Sequence, residues 1–374
     1  MAEQGVSPIF VEVRGRIGLI TLNRPKALNA LSLEMLRELT QHLQAWQRDP
    51  AVLMVAIRGS NKIGQPGSPE ALFGGFCGGG DIRFFHQAAL AGESGEQAIA
   101  DFFTEEYRLN HLIHNYTKPF IAFMDGVVMG GGMGLAQGAR VRIVTERTRM
   151  AMPETAIGLF PDVGGGYFLS RCPGHVGEYL ALTGEVIGAD EALDYGLADV
   201  KFEAARLPQL WQALASAELE TPAQAEQWLA INIIADNDRP IRDNSQIDAY
   251  FSLLRVKHIV DALEQASEPW AQKTAATLRK RSPLMLHVAL EQIRKARSLS
   301  LAEDLRMERG MVHQCFYLRP GAASETVEGI RALVIDKDYT PKWNPPRIED
   351  VKPGMADAFF VSPWTAEAHP LREL

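Results

Sequence analysis

The stretch Pro119-Phe-Ile-Ala-Phe-Met124 runs directly into Asp125-Gly-Val-Val-Met-Gly-Gly-Gly-Met-Gly134. Its first part is an apolar run of strand length, the mark of a strand buried on both faces. Its second part is glycine-rich, and the pair predicts a strand that ends in glycines where a helix begins. Residues 52–57 and 141–145 repeat the apolar run. Upstream, residues 10–13 and 16–22 read as two strands around Arg14-Gly15, a hairpin. Ser32 can cap a helix whose Leu36, Leu39, Leu43 and Trp46 recur at helical spacing. Strand, helix, buried strand, helix is α/β grammar.

From about Ala204 the strand signals stop, and helical patterns run to about Asp336. Ser282-Pro283 places a cap before a proline at the first helical position. Ser300-Leu-Ala-Glu303 is a capping box. Residues 59–69, rich in Gly, Ser, Pro, Asn and Gln, read as a loop. The last ~30 residues, with Pro345, Pro346 and Pro353, lack periodicity. The expected organisation is an α/β core over residues 1–204 carrying the active site, a helical region over 205–340, and an irregular tail over 341–374.

The 374 residues carry 38 Lys+Arg against 46 Asp+Glu, a net charge of −8, and 46% are apolar. That apolar content suffices for a packed core. The acidic balance argues against nucleic acid as the ligand, because neutralising phosphates takes clustered cations. Cys77, Cys172 and Cys315 are too few and too scattered for a disulfide framework or a cysteine-based metal site. His111 and His114 stand three apart beside no carboxylate ligand pattern, so no metal is expected. The opening Met-Ala-Glu-Gln-Gly-Val-Ser-Pro has no leader character, and the run 119–136 is broken by Asp125. A cytoplasmic protein with no membrane partner is the expectation.

Four segments can carry chemistry. Phe76-Cys-Gly-Gly-Gly-Asp-Ile-Arg83 lets the backbone approach a ligand, with Asp81 placed to cap a helix starting there. The glycine segment after Met124 is a second junction of this kind, without the spacing of a dinucleotide-binding loop. Together the two junctions can aim two backbone N–H groups at one carbonyl oxygen; close packing of strand and helix is the plain alternative. In Met152-Pro-Glu-Thr-Ala-Ile-Gly-Leu-Phe-Pro-Asp-Val-Gly-Gly-Gly166, Glu154 and Asp162 lie in an apolar stretch. Such surroundings raise a carboxylate's pKa and suit it to acid–base or nucleophilic work; a helix-capping Glu and a turn Asp is the structural alternative. In a helix, Glu106 would share the apolar face of Phe102, Phe103, Leu109 and Ile113, either paired with a cation or facing a pocket. Cys77 reads as a small core residue, since no base is positioned for it.

Asn23-Arg-Pro-Lys-Ala-Leu-Asn-Ala-Leu31, Phe76-Cys-Gly-Gly-Gly-Asp81, Gly130-Gly-Gly132 and Pro153-Glu154 resemble the crotonase (enoyl-CoA hydratase/isomerase) superfamily. Met152 to Leu169, Phe103-Thr-Glu-Glu-Tyr107, Glu328-Gly-Ile-Arg-Ala-Leu-Val-Ile-Asp-Lys-Asp338 and Pro341-Lys-Trp343 resemble its thioester-hydrolase branch. The likeness runs from about Val11 to Trp343. It implies a spiral of ββα turns followed by a helical C-terminal region, and a small β-hydroxyacyl-CoA thioester as substrate. It also implies an oxyanion hole built from the amides of Gly80 and Gly131, with Glu154 as catalytic glutamate and Asp162 as the aspartate of the hydrolase branch. Glu106 would lie near the substrate and Lys26 would meet the CoA phosphates, with Lys342 a weaker match. No separate cofactor is implied, since CoA is part of the substrate; a homo-oligomer is allowed, and valine breakdown is the implied context.

One position separates the branches. The resembling hydratases carry a second glutamate three residues after the middle glycine; here that position is Gly134. Its loss, with Asp162 present, favours hydrolysis over hydration. The readings that compete are an enoyl-CoA hydratase or isomerase, and a CoA-ester-binding protein without turnover.

Overall fold

Strands β1 (Ile9–Arg14) and β2 (Ile17–Leu22) form the expected hairpin, with Gly15 in the left-handed region at φ 57°. The computed structural model describes residues 7–61, 73–233 and 242–374. The loop expected over 59–69 and the opening residues therefore fall largely outside the described residues. The chain divides into two compact units. One comprises Met1–Gly80, Leu109–Met150 and Val186–Ile241; the other comprises Asp81–Arg108, Ala151–Glu185 and Arg242–Leu374.

The first unit holds a six-stranded sheet. β1 and β2 are followed by β3 (Met54–Gly59), β4 (Phe120–Met124), β6 (Val141–Thr145) and β8 (Val200–Phe202), in the order β1-β2-β3-β4-β6-β8. All pairs after the hairpin are parallel. β5 (Val127–Met129) and β7 (Arg149–Ala151) form a second, two-stranded sheet that the apolar runs did not announce, because three-residue strands show no periodicity.

The inner strands β2, β3 and β4 are buried along their whole length, which is why β2 and β4 and the start of β3 read as apolar runs. On one face Ile17, Leu19, Met54, Ala56, Ile121 and Phe123 pack with Leu207, Leu210, Trp211 and Leu214. On the other, Gly18 lies so close to the Trp46 ring that a Cβ would collide with it. Trp46 belongs to the helix Leu33–Arg48, which buries Met35, Leu36, Leu39 and Leu43 as well; its cap is Ser32, whose hydroxyl accepts from the Met35 N–H at 3.3 Å. β3 begins two residues later than the apolar run. Val52 and Leu53 are buried, but the Val52 N–H is used in a turn onto the Asp49 carbonyl.

The second unit is helical. Its principal helices are Ile82–Leu90, the N-terminal part of Glu93–His114, Val176–Thr183, Val256–Gln265, Pro269–Leu278, Pro283–Ala296 and Leu301–Tyr317. The caps expected at Ser282 and Ser300 both form. Phe85, Phe102, Phe103 and Phe316 make its aromatic centre, the Phe85 and Phe103 rings stacked at 4.8 Å. Residues 331–335 continue into a π turn, and short 3-10 turns at Ile348–Asp350 and Asp357–Phe360 interrupt the final segment. Among the described residues no helix is long and apolar enough to cross a membrane.

Candidate active site

The candidate residues form two groups. In the first unit, the two glycine loops lie side by side. Cys77 bridges to Val128, with the Cys77 N–H on the Val127 carbonyl and the Met129 N–H on the Cys77 carbonyl, each at 3.0 Å. A Cβ on Gly132 would collide with the Cys77 carbonyl, so that approach exists only because position 132 is glycine. Gly79 stands at φ 101°, where L side chains are strained, and a Cβ there would fall 3.5 Å from the Gly131 nitrogen.

Gly131 is the first residue of the helix Gly131–Gln137, so its N–H precedes the intrahelical ladder. Gly80 bridges Leu31, but the Leu31 N–H takes the Gly79 carbonyl at 2.8 Å and leaves the Gly80 N–H out of that bond. Two backbone donors on adjoining loops are the requirement for an oxyanion hole.

Two buried side chains brace these loops. Asn29 donates to the carbonyls of Ser60 (3.0 Å) and Gly75 (2.8 Å) and accepts from the Arg24 N–H. Asp125 accepts from Thr145 (2.6 Å) and Arg147 (3.0 Å). Asp81 occupies the N-cap position of Ile82–Leu90, but its side chain makes no capping bond, contrary to expectation. Lys26 is exposed on a short 3-10 turn, Pro25–Ala27. Cys77 is buried, as a core residue would be.

In the second unit, Glu106, Glu154 and Asp162 come together. All are buried, at 2%, 6% and 5% exposure. Glu154 opens the 3-10 turn Glu154–Ile157, and Glu106 lies on the apolar face of Glu93–His114, as its spacing predicts. Of the two alternatives for Glu106, pairing with a cation is not seen among the described residues. Among the described residues Glu106 Oε1 and Glu154 Oε2 have no hydrogen-bond partner.

Burial pushes the Glu106 carboxyl well above the usual range, and the charges of Asp162 and then Glu154 push it further. Burial and then Asp162 do the same to Glu154. Burial brings Asp162 to about 6, opposed by a hydrogen bond from the Tyr107 phenol at 2.7 Å. Three like groups in low dielectric cannot all ionise at neutral pH, and Asp162 is the one favoured to ionise first.

The Asp162 turn is gripped by a group that pattern reading overlooked. Glu308 accepts the N–H groups of Gly164 (2.7 Å) and Gly166 (2.9 Å). Gln292 donates to Glu308 and to the Pro161 carbonyl. Asp304, one turn before Glu308, accepts the Tyr167 N–H at 2.8 Å. Between these holds Val163 sits at φ 57° and Gly164 at 83°, a conformation that a β-branched residue takes only when its surroundings enforce it. The signal was available: Asp304 and Glu308 share their helix's apolar face with Leu301, Leu305 and Val312, as Glu106 shares its own.

An α/β sheet with paired glycine loops, and a helical unit holding buried carboxyls, is the equipment of the crotonase class of acyl-CoA proteins. The family model described as enoyl-CoA hydratase/isomerase matches residues 17–360, and the chain belongs to that family. It is 37% identical over 358 residues to the mitochondrial 3-hydroxyisobutyryl-CoA hydrolase of Gallus gallus, covering 94% of this chain and 88% of the relative. The Xenopus tropicalis protein of the same name is 39% identical over 354 residues, covering 93% and 87%. Among solved structures, an enoyl-CoA hydratase from Rhodobacter sphaeroides superposes with a TM-score of 0.82 at 34% identity, covering 96% of this chain and 98% of that one. The crotonase-like fold expected from the sequence is the one observed.

Proposed function

We propose that the chain hydrolyses small β-hydroxyacyl-CoA thioesters, with 3-hydroxyisobutyryl-CoA the best-supported substrate, to the hydroxy acid and CoA. The observation that carries this reading is the buried trio Glu106, Glu154 and Asp162, taken together with the lack of any carboxylate in the helix Gly131–Gln137. Addition of water across a double bond would call for an acid at position 134, and that position is glycine. The relatives named as hydrolases support the same reaction.

Glu154 is the reacting carboxyl. Its carboxylate attacks the thioester carbon, the C–S bond breaks to release CoA as the thiolate, and water then cleaves the mixed anhydride to the hydroxy acid and free Glu154; or it takes the proton of a water that attacks the same carbon and displaces CoA. Its raised pKa makes it a stronger base than an exposed glutamate. Negative charge on the thioester oxygen is taken by the Gly80 and Gly131 amides; one such donor is worth ~3 kcal/mol. Asp162 and Glu106 accept the β-hydroxyl, and the exposed Lys26 meets a CoA phosphate. The product belongs to valine breakdown. The relatives' mitochondrial names lend no support to a cytoplasmic location.

The test is a thiol-release assay across 3-hydroxyisobutyryl-, isobutyryl- and crotonyl-CoA, with the conjugated double bond of the last followed in parallel. Thiol release is expected to be fastest with the hydroxylated ester. Asp162→Asn and Glu106→Gln are each expected to lower that preference by about tenfold, since an unhydroxylated acyl group leaves a buried acceptor unpaired. Loss of the crotonyl double bond without thiol release would replace this reading with a hydratase. An unchanged preference in both variants would place hydroxyl recognition elsewhere.

A further inference from the structure

We propose that Tyr107 is a positioning residue of the reaction, its phenol fixing one oxygen of Asp162 so that the carboxylate acts in a single orientation. The inference rests on the hydrolase reading above and deepens it. Tyr107 is fully buried, and its hydroxyl donates to Asp162 Oδ2 at 2.7 Å. Among the described residues it is the one side chain that donates to Asp162. The ring is held edge-on to Phe103, at 6.1 Å between centroids, so the hydroxyl has little freedom to turn away. Tyr107 follows Glu106 directly, about 100° further around the same helix. One turn of helix thus supplies both the free carboxyl beside Asp162 and the donor that orients it.

The direction of donation is fixed by the surroundings. Glu106, Asp162 and Glu308 all face the phenol, and burial with three acids keeps it protonated. Asp162 is faced by Glu106, Glu154, Glu308 and the buried Cys315 thiol. The nearest cations act one step away, Arg309 on Tyr107 and Arg171 on Asp304. With no cation among the described residues on Asp162 itself, the phenol is the side-chain contact that favours its charged form. The Glu308 and Gln292 bonds hold the backbone of the turn but do not touch the carboxyl. The carboxyl also takes its own backbone N–H, and among the described side chains its orientation is left to Tyr107.

The experiment is the pH profile of kcat for thiol release from 3-hydroxyisobutyryl-CoA by the full chain, wild type beside Tyr107→Phe. Phenylalanine keeps the ring packing and removes the donor. The expected result is a kcat lowered about tenfold, an unchanged KM, and an acid limb moved up by about one pH unit, so that activity partly recovers in alkali. A loss that is equal at every pH, or a profile that overlies the wild type, overturns the proposal. Fluorotyrosine placed at position 107 tests it independently of folding in the Phe variant: the more acidic phenol donates more strongly and moves the acid limb down, and an unmoved limb contradicts the assignment. If the wild type releases no thiol, the hydrolase reading fails and takes this inference with it. If it does and the limb stays fixed in the variants, only the Tyr107 assignment falls.

Discussion

In the proposed reaction the first unit offers its chemistry through the backbone. Gly80 and Gly131 contribute only N–H groups, and their neighbours Gly79 and Gly132 contribute the absence of a Cβ. In the second unit it is offered by side chains, and each acid comes from a different segment: Glu106 from a long helix, Glu154 from a 3-10 turn, Asp162 from a strained turn held by Glu308 and Gln292. The backbone arrangement is maintained by β-type bridges and braced by Asn29 and by Asp125, whose buried charge is matched by Arg147. The side-chain arrangement keeps acids away from water and cations, and each must be supported by a hydrogen bond or stay protonated. A substitution in the first region therefore acts through shape, and one in the second acts through protons.

The largest effect expected from that contrast is at Gly132. Gly132→Ala drives a methyl into the Cys77 carbonyl and separates the two loops. Thiol release is expected to fall by about 10²- to 10³-fold, the cost of one lost oxyanion donor, with no change in the pKa that governs the acid limb. Steady-state kinetics across pH checks this, and a shifted limb would erase the distinction between the regions.

A smaller effect is expected at Glu106, and it has a sign. Its carboxyl is raised in the folded chain by burial, Asp162 and Glu154. Well below the ordinary glutamate pKa it is protonated in both states. As pH climbs through that ordinary value, the unfolded chain releases the proton while the folded chain keeps it. Stability then falls until pH reaches the folded pKa, by up to about 1.4 kcal/mol per pH unit. Glu106→Gln has no proton to lose. Its melting temperature relative to wild type is expected to rise steadily from acid toward neutral pH. A difference constant with pH would mean that the carboxyl is not strained in the fold.

The sheet was legible because its inner strands are buried on both faces, and residues 120–124 carry that fact in every side chain, residues 141–145 in all but Arg142. The capped helices were legible because Ser32, Ser282 and Ser300 act within one turn of themselves. Glu154, Asp162 and Glu106 stood out as acids in apolar surroundings. Their meeting could not be read from periodicity, because it joins segments up to 56 residues apart through tertiary packing, and the family resemblance supplied it. Tyr107 and Glu308 escaped notice for a related reason: a buried tyrosine or glutamate on an apolar face reveals its partner only when another segment arrives. The side chain of Asp81 went the other way, a local capping rule overridden by its surroundings.

The proposed hydrolysis rests above all on one buried carboxyl, Glu154. Single-turnover thiol release from 3-hydroxyisobutyryl-CoA by Glu154→Gln, beside equilibrium binding of the same ester, tests it most directly. Glutamine keeps the shape of the side chain and removes its basicity and its nucleophilic oxygen. The expected rate is lowered by about 10³-fold or more, with binding retained. Release at a rate within a few-fold of wild type would contradict it and move the chemistry to another group.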